Sequence, residues 1–307
     1  MSTASASPTH PSLSDYGLLL ALSAIWGSSF MFIKIAVESA PAISVTAARV
    51  TIGGLLLLGV AWHAGQALPR GTRTWAMIVL AALFGNTLPF TLITWGEERI
   101  DSGLAAILMA VMPLVTLVLA HFFTADERIT ARKTIGVLLG LAGLAILIGP
   151  STLSGLGSDL IRQIAVAAAA VCYAINALLT KHLMGLPRRA LAAAIVLASA
   201  VMLIPASIVV DQPWTIEPSA RSIMAVVVLG VVQTAIATLM MFALIRRQGA
   251  SFFSQLNFLV PLFGVMYGAL LLAERPSANA YVALAVILAG IAFARGRLPT
   301  FPRHPRA

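Results

Sequence analysis

Charge is what this chain has least of. Only 10% of its 307 residues are Asp, Glu, Lys or Arg, against 59% hydrophobic. Soluble domains carry roughly 25% charged residues, so a water-soluble globular fold is excluded and lipid-facing helices explain the balance. The single cysteine, Cys172, rules out an internal disulfide framework. No polar block is long enough to fold by itself. The eleven acidic residues all fall at the ends of apolar runs or between them, so no carboxylate is expected at membrane depth to carry a proton or a cation. H-E-x-x-H, G-x-S-x-G and P-loop patterns are missing, and the five histidines are scattered. No metal, cofactor or ATP-driven step is therefore expected, and the chain is not expected to be an enzyme. Residues 1–14 hold no Lys or Arg, a poor signal-peptide start, so the first apolar run should stay as an anchor.

What the chain does have is a series of apolar runs. The first is 16–33. Then come 50–68 (a helix drawn back to near Ser44, including Arg49), 74–96, 102–125, 134–158, 163–180, 190–210, 222–245, 248–273 and 276–294. Each suits one helical crossing of a bilayer. Ten crossings put both termini on one side. If that side is the cytoplasm, fourteen Lys and Arg lie inside, five outside and Arg49 within a helix, which is the bias that orientation requires. The positive charge thus reads as topology-setting, and no nucleic-acid partner is expected. The expected location is the cell inner membrane, with cytoplasmic N- and C-termini.

The two halves match at an offset of about 147 residues. LAGLA at 141–145 falls on LAGIA at 288–292, Asn86-Thr87 on Gln233-Thr234, Lys34 on Lys181, and Glu127-Arg128 on Glu274-Arg275. Pro113-Leu114 meets Pro261-Leu262 after a one-residue slip. The expected organisation is a tail at 1–14, a first repeat at 15–150, a second at 159–295 and a basic tail at 296–307. Five helices per repeat is an odd number, so the halves enter the membrane inverted. Inverted repeats are the plan of many secondary transporters, with the substrate held near the midplane between them.

Trp26-Gly-Ser-Ser-Phe30 followed by Lys34, Arg49 in the second helix, and Pro113 with Glu127-Arg128 resemble the EamA-type repeat of the drug/metabolite transporter superfamily. The second half is looser: Tyr173-Ala174 stands where Trp26-Gly27 stands, while Lys181, Pro261 and Glu274 are kept. The resemblance runs from about residue 16 to 294. It implies an all-α integral membrane protein of ten transmembrane helices in two inverted five-helix repeats. It also implies secondary transport without a cofactor, and a central cavity lined by the first, third, fourth, sixth, eighth and ninth helices. Among members, amino-acid exporters of the YddG type are the expectation, with drug and other metabolite carriers as the alternative. The implied partners are a small-molecule substrate (an amino acid or similar metabolite) and the bilayer, with the chain working as a monomer.

Polar groups at membrane depth are costly unless they pack inside the bundle or line water. On that ground the candidate cavity residues are Trp26, Ser29, Asn86, Thr87, Thr91, Trp95, Met109, Tyr173, Asn176, Gln233, Thr234, Thr238, Gln255 and Asn257. The bland alternative is hydrogen-bond glue between helices. Trp26, Tyr173, Phe84, Phe90 and Phe258 can stack on a substrate or simply pack. Lys34 and Lys181 fall at opposite mouths, to gate or meet a carboxylate, or to snorkel. Pro113 and Pro261 are the candidate hinges, each removing a backbone donor. Arg49 is expected to pair with a carbonyl or with Glu38, a structural role. Glu97, Glu98 and Asp101 read as an outer-mouth cluster or a solvated loop. Superfamily relatives that bind cations carry a glutamate where this chain has Ala24, which points to a zwitterionic or neutral substrate and facilitated export. Gly136, Gly140 and Gly143 are expected to pack on Ala285, Ala289 and Ala292, joining the halves away from the substrate path. A membrane-embedded enzyme would need a nucleophile–base pair or a metal constellation that the sequence does not offer, and a substrate-free scaffold would leave the inverted repeat and the polar mid-helix residues without a cause.

Overall fold

Lipid offers a backbone no hydrogen-bond partners, so an apolar run must satisfy its own N–H and C=O groups by coiling. The computed structural model of the chain describes residues 11–123, 130–154, 158–183 and 185–294. Among them ten helices follow in order: α1 Leu13–Ala36, α2 Ala42–His63, α3 Thr72–Glu97, α4 Ser102–Phe123 and α5 Ala131–Ser154 in the first half; α6 Ser158–Leu179, α7 Arg188–Val210, α8 Ala220–Gly249, α9 Leu256–Leu271 and α10 Ala278–Ala294 in the second. Glu127-Arg128, residues 1–10 of the N-terminal tail, the C-terminal tail and the Lys181 side chain lie outside the described residues. Helix α1 starts where a capping box forms: the Ser12 N–H donates to Asp15 Oδ2 (3.0 Å), and Ser12 Oγ accepts from the Asp15 N–H (3.3 Å).

The packing has the symmetry that inverted repeats require. Helix α1 lies on α9 as α6 lies on α4, and α3 lies on α6 as α8 lies on α1. Helix α2 pairs with α7, and α5 with α10. Exchanging the halves maps this set of contacts onto itself, so a pseudo-two-fold axis runs between those two self-matched pairs. The fold is an all-α, ten-helix inverted repeat.

Close approach at the α5–α10 pair depends on glycine, but not against the expected partners. A Cβ at Gly136 would strike Ala294 and the Gly290 carbonyl, and one at Gly143 would meet Ile287 and the Ala283 carbonyl. Gly140 faces Leu114 of α4 instead. Ala285 and Ala289 are exposed, on the outer face of α10. Three alanines in an apolar helix carry no signal of which way they point, and the crossing selects the neighbouring face.

Local irregularities also recur in both halves. Helix α3 loosens into a π segment at Leu83–Thr87, and α8 does so at Leu229–Ile236. Helix α4 is interrupted at Ala110 and Val111, between Ser102–Met109 and Met112–Phe123. Before α9 the chain turns at Gly249, whose φ of 77° suits a residue without a Cβ, and again at Ser254 and Gln255. The expected ninth span, 248–273, is therefore split. Pro113 sits in the first turn after the α4 interruption, where a missing N–H costs nothing. Pro261 lies inside the unbroken part of α9. The breaks precede the prolines rather than coincide with them.

Candidate substrate site

The two π segments bring polar residues of both halves to mid-bundle. Widening a helix by one residue re-aims its side chains, a device that clusters at functional sites. In α8, Thr234 Oγ1 donates to the Leu229 carbonyl (2.9 Å), and Thr238 Oγ1 donates to the Thr234 carbonyl. The Gln233 carbonyl accepts from Trp26 Nε1 of α1 (3.2 Å), while Gln233 Nε2 donates to Ser28 Oγ (3.2 Å). Trp26 also meets the Phe253 ring edge-on. In α3, the hydrogen at Gly85 is what lets the α6 side chain of Asn176 lie against the helix: a Cβ there would be 2.8 Å from Asn176 Nδ2.

Beside this cluster lies Arg49, 5% exposed, in α2. Its Nε donates to Thr234 Oγ1 (3.0 Å), and its Cζ stands 3.9 Å from the centre of the Phe90 ring. Phe90 in turn meets Tyr173 edge-to-face at 6.5 Å. The expected partner, Glu38, is instead 3.6 Å from Arg221 at the surface. Glu38 lies beyond the end of α1 while Arg49 is turned inward, so the two cannot meet. Arg49 thus meets a hydroxyl and a ring in place of the expected carbonyl or acid.

Among the polar atoms buried without a hydrogen-bond partner, four belong to the helices that build this centre: Ser29 Oγ, Thr91 Oγ1, Asn176 Oδ1 and Gln233 Oε1. They come from α1, α3, α6 and α8. Native interiors leave few such groups, and each calls for a reason.

Other candidates point elsewhere. Thr87 faces α7, with its Oγ1 3.8 Å from Met202 Sδ. Trp95 lies at the end of α3, under the Arg162 guanidinium (3.7 Å), which also bonds the Trp95 carbonyl and Glu98 Oε2 (2.7 Å). Met109 packs in the apolar clusters beside the α4 break. Gln255 and Asn257 sit at the turn into α9, where Asn257 Nδ2 donates to the Ser254 carbonyl (3.2 Å). Asn86 is half-buried in the α3 π segment.

The end of the bundle where α3 passes to α4 is tightly tied. Lys34 Nζ donates to the carbonyls of Glu97 and Ile100 (both 2.8 Å), closing the end of α3 rather than snorkelling. Glu97, expected in a solvated mouth, is 0% exposed, and neither carboxyl oxygen has a hydrogen-bond partner. A span-end position did not bring exposure. Asp101, in that connection, has its carboxyl pushed above the usual aspartate range, first by partial desolvation and then by the Glu274 carboxylate, with Lys34 opposing.

A cavity of about 560 Å³ lies on the flank rather than at the centre. It opens between α2, α7 and α8 and is lined mainly by apolar residues such as Val45, Ile52, Ile208 and Ile223. That lining suits lipid or packing more than a polar solute.

The EamA-like transporter family matches this chain at residues 14–149 and again at 161–296. "Uncharacterized inner membrane transporter YedA" of Escherichia coli (strain K12) is 30% identical over 295 residues, spanning 94% of this chain and 93% of its own. "Uncharacterized transporter YoaV" of Bacillus subtilis (strain 168) is 23% identical over 277 residues, spanning 89% and 94%. A solved crystal structure superposes with a TM-score of 0.66 at 21% identity, over 91% of this chain and 98% of its own, a likeness of fold.

Proposed function

The chain belongs to the EamA-like transporter family and is a membrane transporter of two repeats; from that premise we propose that it exports small zwitterionic or neutral metabolites. Amino acids, including large neutral and aromatic ones, are the first candidates. The carrying observation is the set of four unsatisfied polar atoms contributed by α1, α3, α6 and α8, the helices of which the first three carry Trp26, Phe90 and Tyr173. Side-chain amides and hydroxyls buried without partners are costly, and a polar solute arriving among them would supply what is missing. The rings would cover its apolar part.

Transport proceeds by alternating access: the two repeats rock about the centre and expose it to each side in turn. The protein works as a monomer in the inner membrane with both termini cytoplasmic, so that the Lys34–Glu97 end faces outward. No chemical conversion of the solute is involved.

The test is purified protein in liposomes loaded with a panel of labelled amino acids, with efflux followed with and without a pH gradient. Efflux of large neutral or aromatic members, indifferent to the gradient, supports facilitated export. Efflux that needs the gradient would overturn the uncoupled mechanism. Failure of every amino acid to move would sink the substrate assignment and leave drugs and other metabolites to be tried.

A further inference from the structure

We infer that Arg49 is the receptor for a substrate carboxylate, so that the central site selects α-amino acids and related monocarboxylates over the corresponding amides and amines. The inference deepens the zwitterion reading and rests on it for the identity of the substrate, though not for the anion-binding role of Arg49.

A guanidinium inside a membrane bundle is expensive to keep and is normally matched by an acid or by carbonyl groups. The other cations whose contacts are described follow that rule: Lys34 holds two carbonyls, Arg162 holds Glu98, Arg247 lies 3.7 Å from Asp15, and Arg221 is near Glu38. Arg49 does not. No carboxylate oxygen of the described residues comes within ion-pair distance of it, and its only hydrogen bond among them runs from Nε to the neutral Thr234 hydroxyl. The Glu97 carboxyl, two turns along α3 from Phe90, attracts Arg49 from beyond ion-pair distance but takes none of its hydrogen bonds. Stacking on Phe90 covers one face of the guanidinium plane. Its terminal Nη groups, the pair that takes up a carboxylate in a two-pronged fit, donate to none of the described residues.

The surroundings supply the complementary half. Asn176 Oδ1 and Gln233 Oε1 are acceptors without donors, and the Thr91 and Ser29 hydroxyls are unpaired as well. Gln233 is adjacent to Thr234, which holds Arg49; Thr91 follows Phe90, on which it stacks; Asn176 is one helical turn from Tyr173. A donor-only cation, with orphan acceptors on the helices that surround it, is the charge pattern of an α-amino acid in reverse: carboxylate to Arg49, ammonium to the amide oxygens. Neither a free amine nor an amide satisfies both sides.

Two measurements on the full chain test this. In proteoliposomes, efflux of L-phenylalanine is compared with that of L-phenylalaninamide and 2-phenylethylamine, which keep the ring and the nitrogen but lack the carboxylate. At least a tenfold slower efflux of both analogues is expected; equal rates would overturn the inference while leaving amino-acid export standing. In detergent, thermal stabilisation by 3-phenylpropionate, a carboxylate without an amine, is measured for the unsubstituted chain and for Arg49→Lys and Arg49→Gln. The expected result is a rise in Tm for the unsubstituted chain, a smaller rise for Arg49→Lys and none for Arg49→Gln. Undiminished stabilisation of Arg49→Gln would refute the role of Arg49. If no amino acid effluxes but the carboxylate shift depends on Arg49, the anion site stands and the substrate assignment falls. The analogue comparison uses no variant, so a folding defect at position 49 cannot decide the matter.

Discussion

The carboxylate of Glu274 accepts hydrogen bonds from the backbone N–H groups of Ser102 (2.7 Å) and Gly103 (2.9 Å). A residue just past the end of α9 in one half thus closes the first turn of α4 in the other. Helix starts leave N–H groups without partners, and an acid there also meets the positive end of the helix dipole. Gly268 makes the reach possible, since a Cβ in its place would collide with Glu274 Oε2.

Glu274→Ala should therefore destabilise the protein by about 1–3 kcal/mol, the cost of stranding buried donors. Glu274→Gln, which keeps an acceptor but loses the charge, should fall between. Thermal unfolding in detergent checks the order; a stability for Glu274→Ala equal to that of the unsubstituted chain would show that the cap contributes nothing.

Substitution at Gly27 tests the α1–α9 contact. A Cβ there would meet Phe263 and come within 3.0 Å of the Val260 carbonyl. Gly27→Ala is expected to cost about 1–3 kcal/mol through overpacking, whereas Gly59→Ala, with nothing near its Cβ position, should be neutral or slightly stabilising. Comparing the two Tm values separates packing from helix propensity.

Lys34 and Glu97 should behave oppositely, although they are neighbours. Lys34→Met strands the Glu97 and Ile100 carbonyls and should lose about 1.5–3 kcal/mol. Glu97→Gln removes a buried carboxylate that has no hydrogen bond, and should be neutral or stabilising. A large loss of stability in Glu97→Gln would mean that attraction to Lys34 and Arg49 outweighs the cost of burying the carboxyl.

Asp101 sets a pH dependence whose sign follows from its raised pKa. A carboxyl that binds its proton more tightly when folded favours the folded state at low pH. That contribution is lost as pH rises through the folded value. Asp101→Asn should therefore raise Tm at neutral pH, and the gain should vanish below about pH 4, where the unfolded aspartate is protonated too. The residue is exposed, so screening keeps the effect small. A gain that grows toward acid pH would reverse the assignment.

The helix interruptions, rather than the prolines, are expected to absorb motion. Pro113→Ala and Pro261→Ala should change efflux rates only modestly, several-fold at most, while Gly249→Val, at a φ of 77°, should impair both folding and transport. Rates unchanged by Gly249→Val would remove that turn from the mechanism.

The sequence by itself determined the number and order of the crossings. Scarce charge and charge-free runs of bilayer length leave a backbone in lipid no alternative to a helix, and an odd number of spans per repeat makes the halves inverted. Trp26, Tyr173, Asn176 and Gln233 were legible as candidates because an amide or a large polar ring at membrane depth needs a partner. Direction around each helix was not legible. A nearly all-apolar helix has no polar face to read, so Thr87 turned out toward Met202, and Ala285 and Ala289 lie on an outer face. The π segments at Leu83–Thr87 and Leu229–Ile236 shift the angular register still further. Only the packing of ten helices decided that Arg49 faces inward with no acid to meet it, that Glu97 is buried at a span end, and that Glu274 reaches across the two-fold. Each of those depends on how distant parts of the chain pack together, and local pattern carries no information about that.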